Sequence, residues 1–223
     1  MIGSVKAKDG AVHNVFAYDE IDTVCAGPTR AEERRLKLVT AARKLFCERG
    51  FHATGMAQIA EASGVKVGQI YRDFASKDDI IAAIAESDFS EFLNEAALRA
   101  AVGEGDRIGV RNWIARFVTP ERVCSKDQLM PEIIAEAVRN DRIATIMAEL
   151  NARIRHTMRA ALTVFAPEPS RSADVAVVAE LILTLVIGQC SRMAAETDRD
   201  VTALQARILQ LVDVEICALA RCG

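Results

Sequence analysis

The sequence predicts an all-α protein: a three-helix N-terminal module with a helix-turn-helix, then a larger helical domain, about nine helices in total. Three observations support this. Aromatic residues are only 5% of the 223, with 12 Gly and 5 Pro, so the chain is rich in Ala, Leu, Glu and Arg, which favour helix. Apolar residues recur at spacings of three and four along most of its length. No run alternates apolar and polar residues for long enough to suggest a sheet. A hydrophobic content of 51% is enough for one sizeable core, or for a small module resting on a larger one.

Residues 1–29 show neither periodicity and end at Gly27-Pro28, a local break, so they are expected to form a flexible arm. From Arg30 the pattern is helical: Leu38, Ala41, Ala42, Leu45 and Phe46 share a face, and Gly50 is placed to stop the helix. A second short helix, Met56 to Ser63, ends at Gly64, and a third runs from about Val67 to Phe74. Ser76 with Asp79 three residues on forms a capping-box pattern that opens a long fourth helix. Beyond it, Asp106–Val118, Lys126–Asn140, Asp141–Phe165, Arg171–Glu196 and Asp200–Arg221 read as helices separated by Gly, Pro or Asn-Asp breaks, and Pro131 starts or kinks its helix. The expected domains are the arm 1–29, the helix-turn-helix module 30–75 and a larger helical domain 76–223.

Overall the formal charge is −3, which taken alone argues against a nucleic-acid partner, but its distribution is uneven. Residues 30–78 hold ten Lys/Arg against six Asp/Glu, a balance of +4, while residues 79–223 come to −5. The basic footprint is thus confined to one short segment, as an electrostatic DNA contact requires. Six cysteines (Cys25, Cys47, Cys124, Cys190, Cys217, Cys222) include no CxxC pair and the three histidines are far apart, so no metal site and no cofactor are expected. The N-terminus lacks a basic region followed by an apolar run, and scattered thiols suit a reducing cytoplasm. The uncharged apolar stretch Leu181–Cys190 is too short for about 30 Å of hydrocarbon, so no membrane partner is expected. No GxSxG, HExxH or phosphate-binding Gly loop is present, and no enzymatic activity is expected.

The informative stretch is Thr54 to Phe74. Ile59 and Ala60 face inward on one short helix, Gly64 supplies a left-handed turn, Val65 fills the corner, and Ile70 and Phe74 face inward on the next. Gly between apolar faces also occurs in ordinary helical hairpins. In a helix-turn-helix the start of the second helix meets base edges, which makes Lys66, Val67 and Gln69 the candidates for reading sequence. The Gln69 amide suits bidentate pairing with adenine, and Gly68 would let the backbone approach a phosphate.

The run Ala41-Ala42-Arg-Lys-Leu45-Phe46-Cys-Glu-Arg-Gly50-Phe51-His-Ala-Thr54, then Ile59-Ala60-Glu-Ala-Ser-Gly64-Val65, then Gly68-Gln-Ile70-Tyr71-Arg-Asp-Phe74-Ala-Ser76-Lys77-Asp-Asp-Ile80, closely resembles the TetR family of regulators. That resemblance covers the DNA-binding module. It implies phosphate contacts from Tyr71 and Lys77, and from Thr54 at the start of the second helix; Arg72, Arg34, Arg35 and Lys37 would add non-specific attraction. The chain departs from the family's pattern at Gly55, where Ser or Thr is usual, and at Lys66, where Ser is usual. Both changes remove a helix N-cap, and the lysine costs about 1 kcal/mol unless a base or phosphate repays it. Gln69 replaces a small hydroxyl residue, so the operator is expected to be the chain's own.

What the resemblance implies is a regulator, repressive by default, that binds a palindromic operator in double-stranded DNA as a homodimer and is released by a small-molecule effector. One helix-turn-helix reads too few bases to bind specifically alone. The expected dimer surface lies on the last two helices: Val178, Ile182 and Leu185, in a stretch apolar all round, with Leu204, Ile208, Leu211 and Ile216. An effector pocket within the central helices would be lined by Trp113, Phe117, Met130, Ile134, Met147, Leu150 and Ile154, with Arg116, Glu136 or His156 as polar anchors. Each of those apolar residues also fits an ordinary core. Alternatives are a regulator switched by the thiol of Cys124 or Cys190, and a small-molecule-binding helical protein or enzyme without operator specificity.

Overall fold

The computed structural model describes Gly27 and residues 29–119, 129–195 and 200–221. The expected arm, apart from Gly27 and Thr29, lies outside the described residues, as do Cys25, Cys124, Cys222 and the side chain of Met130. Among the described residues all regular structure is helical: α1 Arg30–Arg49, α2 Met56–Ser63, α3 Val67–Asp73, α4 Lys77–Leu93, α5 Glu95–Gly103, α6 Arg107–Val118, α7 Met130–Ala137, α8 Asp141–Thr163, α9 Ser172–Ala195 and α10 Thr202–Arg221.

Local chemistry sets the first boundaries. The Thr29 hydroxyl accepts the Glu32 N–H at 3.2 Å while the Glu32 carboxylate accepts the Thr29 N–H at 2.7 Å, a reciprocal cap on α1. Ser76 and Asp79 close the same box on α4, as their spacing indicates. Among the described residues ten α-helices form rather than nine, because the long fourth helix breaks at Asn94, the one described non-glycine residue with positive φ (43°). Asn tolerates that left-handed conformation, and the Trp113 indole N–H takes the Leu93 carbonyl beside the break.

Two apolar cores organise the chain. The C-terminal one gathers Leu93, Leu98, Trp113, Phe117 and Val118 with Ile154, Met158 and Leu162 of α8, Val178 and Ile182 of α9, and Ile208 and Ile216 of α10. The N-terminal one contains the helix-turn-helix core, Leu38, Phe46, Ile59, Ile70 and Phe74, but does not stop there. It continues through Ile80, Ile81 and Ile84 of α4 into Leu129, Ile133, Ile143, Met147 and Leu150. The DNA-binding module therefore shares its core with α7 and the first half of α8. The segment Pro169–Met193 is long and apolar enough to cross a membrane by length and composition, with mean hydropathy 1.9, unlike the shorter Leu181–Cys190 stretch. One face of it, Val175, Val178, Ile182 and Val186, is built into the C-terminal core.

Candidate nucleic-acid interface

Three devices place the reading helix. The turn after α2 is a Schellman motif: Gly64 takes φ 69°, ψ 15°, its N–H donates to the Glu61 carbonyl, and the Val65 N–H donates to the Ala60 carbonyl at 3.0 Å. Ile70 and Phe74 are then fully buried and anchor α3 from below. Arg34 of α1 grips Asp73 with both nitrogens, at 2.6 and 2.7 Å, and Arg35 donates to the Asp73 carbonyl while stacking 4.2 Å above the Phe74 ring. The Arg34 hydrogen bonds are the main reason the Asp73 carboxyl sits below its ordinary range. Arg34 and Arg35, expected as diffuse DNA attraction, thus hold the C-terminal end of α3.

With Ile70 and Phe74 inward, the helical period turns Lys66, Val67, Gly68, Gln69, Tyr71 and Arg72 to solvent, and the Tyr71 ring is 55% exposed. Lys66 precedes α3 without a side-chain cap, and its carbonyl accepts the Gln69 N–H at 2.8 Å. At α2 the missing cap is partly made good: the Gln58 side chain accepts the Gly55 N–H at 2.7 Å.

One expected phosphate contact needs correction. Thr54 is 1% exposed, and its hydroxyl donates within the chain, to the Gly50 carbonyl at 3.0 Å and the Leu45 carbonyl at 3.3 Å. It locks the α1–α2 corner instead of facing DNA. Lys77 donates to the Phe51 carbonyl at 2.8 Å and lies 4.5 Å from that ring, so one of its three ammonium hydrogens is held at the same corner. From the other side the His52 ring meets the Glu136 carboxylate of α7 at 2.8 Å. Glu136, expected as a ligand anchor, ties α7 to the reading head. Nothing in the local sequence signals this contact, because the partners are 84 residues apart.

The expected effector residues do not line one cavity. Trp113, Phe117 and Ile154 are buried in the C-terminal core, Met147 and Leu150 in the N-terminal one, and Ile134 and Arg116 are exposed. On the expected dimer surface, Val178, Ile182, Ile208 and Ile216 are consumed by the chain's own core, Leu185 is half-buried, and only Leu204 and Leu211 are exposed. The apolar side chains that α9 and α10 do turn outward are Val177 (69% exposed), Leu181, Ile187, Leu204, Leu211 and Val214 (63%). In α9 a residue's helical face alone does not reveal whether it meets its own core or a partner, because both sides are apolar. Cys190 is half-buried against the C-terminal core.

Residues 38–84, from α1 into α4, match the family model described as bacterial regulatory proteins, tetR family. The regulator HbdR of Aromatoleum sp. (strain CIB) is 41% identical over 68 residues, 30% of this chain and 30% of that protein, so this match spans under a third of its length. The regulator UidR of Escherichia coli (strain K12) is 28% identical over 171 residues, 75% of this chain and 85% of that protein. Among solved structures, Salmonella enterica GusR superposes with a TM-score of 0.54 at 25% identity, covering 87% of this chain and 98% of that one. With the buried anchors, the glycine turn and the outward face of α3 all in the matched segment, the chain carries the helix-turn-helix DNA-binding domain of the tetR family of bacterial regulatory proteins.

Proposed function

We propose that this DNA-binding regulator is a repressor that occupies a palindromic operator as a homodimer and is released by a small-molecule effector, with no catalytic step of its own and a cytoplasmic place of action. The observation that carries the reading is the geometry of α3: Ile70 and Phe74 are buried, and six consecutive or near-consecutive residues, Lys66 to Gln69 with Tyr71 and Arg72, face outward. Gln69 reads a base edge, Tyr71 hydrogen-bonds a phosphate, and Lys66 supplies charge where its carbonyl starts the helix. Repression needs no further surface, since a dimer seated on a promoter excludes polymerase. The outward stripe Val177, Leu181, Leu211 and Val214 supports pairing of two chains along α9 and α10.

Effector control requires an element shared by both domains, and α7 with the start of α8 supplies it. Ile133, Ile143 and Met147 pack in the helix-turn-helix core, and Glu136 holds His52. Displacing these helices tilts the reading heads out of register with successive major grooves. Release then follows from an effector's differential affinity for two states, about 1–3 kcal/mol of coupling.

Selection of bound duplexes from a random DNA pool tests the reading, repeated at two salt concentrations with Tyr71→Ala and Gln69→Ala. A palindrome is expected, with Tyr71→Ala weakening all sequences alike and Gln69→Ala relaxing one position per half-site by about 1–3 kcal/mol. A folded dimer that enriches no sequence would overturn it.

A further inference from the structure

We propose that the C-terminal domain binds an uncharged, largely apolar small molecule carrying a hydrogen-bond donor in the cleft between α9 and α10, anchored on the side-chain oxygen of Gln189. This rests on the reading of the chain as an effector-controlled regulator and gives that effector a place and a chemistry. The cleft encloses about 460 Å³, within the range of small-molecule sites, and is lined by Thr184, Leu185, Gly188 and Gln189 of α9 and by Leu204 and Ile208 of α10. Its walls are almost wholly apolar, with the exposed Arg192 at the rim, which disfavours a cation.

Thr184, Ser191 and Arg192 also line the cleft but are exposed, whereas Gln189 is a buried polar group in its wall. It is 6% exposed, and its Nε2 donates to the Val118 carbonyl at the end of α6 at 3.1 Å, which fixes the plane of the amide. Its Oε1 is then buried with no hydrogen-bond partner among the described residues. A buried amide oxygen without a donor is costly, so a donor belongs opposite it. Thr184 does not supply one, because its hydroxyl already donates to the Glu180 carbonyl at 2.8 Å.

Gly188 is a second, independent sign. It lies well inside a 24-residue helix, where glycine weakens the helix, yet a Cβ there would meet no atom within 4 Å. The chain's own packing does not demand the missing side chain. Its absence leaves the cleft open beside Gln189.

The competing occupant is a second copy of the chain, since Leu204 also belongs to the outward apolar face of α9 and α10. From that face a second copy brings the apolar Val177, Leu181, Leu211 and Val214, whose side chains carry no hydrogen-bond donor for Gln189. The two fit together: the partner covers the open side of the cleft and the small molecule fills its floor. An effector seated at this seam bears on α9, which shares the C-terminal core with α8, and α8 carries the displacement to the reading head.

The test uses the full chain without DNA and the neutral fluorophore N-phenyl-1-naphthylamine, which brightens in apolar surroundings and carries a single N–H donor. Saturable binding of one probe per chain is expected, with a sedimentation mass that stays dimeric. Gly188→Leu, whose side chain enters open space, should remove probe binding and leave the dimer and the helical circular dichroism intact. Gln189→Met should weaken binding about tenfold, and the N-methyl derivative of the probe, which has no donor, should bind the unaltered protein about tenfold less well. Absence of saturable binding, equal affinity for the two probes, or loss of the dimer in Gly188→Leu would each overturn the proposal, the last by assigning the cleft to the second copy. No operator enters the assay, so its failure leaves the DNA-reading function standing, and failure of operator selection leaves the cleft.

Discussion

Gly50 and Gly64 end the first two helices with different backbones, and alanine at each is expected to cost different amounts for a reason that excludes packing. At both positions a Cβ would meet nothing within 4 Å, so only the backbone term remains. Gly64 has φ 69°, ψ 15°, the left-handed helical region, which costs an L-residue about 1–2 kcal/mol. Gly50 has φ 82°, ψ 159°, a region that is almost exclusively glycine's and costs up to about 3 kcal/mol. Restricting the unfolded chain returns about 0.4–1 kcal/mol in either case. The net losses are therefore about 1 kcal/mol for Gly64→Ala and about 2 kcal/mol for Gly50→Ala. With a urea slope of about 2–3 kcal/mol per molar, the midpoint falls by roughly 0.4 M and 0.8 M. Gly64→Asn should recover most of the first loss, because Asn enters the left-handed region readily, whereas Gly50→Asn should recover little. Urea unfolding followed by far-ultraviolet circular dichroism at one fixed protein concentration measures all four variants. If Gly50→Ala proved as mild as Gly64→Ala, or Asn rescued both positions equally, the assignment of these costs to backbone conformation would be refuted.

Thr54→Val should lower stability by about 1–2 kcal/mol, because the hydroxyl that serves the Gly50 and Leu45 carbonyls is lost, while the salt dependence of operator binding stays unchanged. A salt slope reduced by about one would show that Thr54 reaches a phosphate after all. Ile133→Ala, a truncation at 1% exposure, should cost about 2–5 kcal/mol and loosen the reading head, so thermal melting and operator affinity should fall together. Unchanged affinity in the folded variant would separate α7 from DNA reading. Asp73, held low first by the Arg34 hydrogen bonds, and Glu95, held low first by those of Arg153, have folded-state values below their unfolded ones. Their stabilisation is complete above the ordinary carboxylate range, about pH 4, and is lost as the pH falls through the lowered values. Asp73→Asn should accordingly flatten the acid limb of a stability-against-pH curve, and an unchanged limb would count against the pair.

Much of the DNA-binding module was legible because its signals are local. Periodicity buried Ile59, Ile70 and Phe74, glycines marked the ends of α1 and α2, and the Ser76–Asp79 spacing opened α4, so the outward face of α3 followed from the period alone. The break at Asn94 was missed because its strongest support, the Trp113 indole on the Leu93 carbonyl, comes from 20 residues away. Arg34 and Arg35 read as diffuse attraction for DNA because a sequence shows cations without their partner, here Asp73.

By itself, then, the sequence determined the helical class, the family of the helix-turn-helix segment and the outward face of α3, all of which depend on contacts a few positions apart. The tertiary structure alone decided which polar groups turn inward, which side of α9 is spent on the chain's own core, and how α7 joins the reading head through Glu136 and His52. The physical reason is range. Caps, turns and a helical face are fixed by neighbours within one or two turns, whereas a hydrogen bond across 84 residues, or the choice between two equally apolar faces, exists only once the helices are packed.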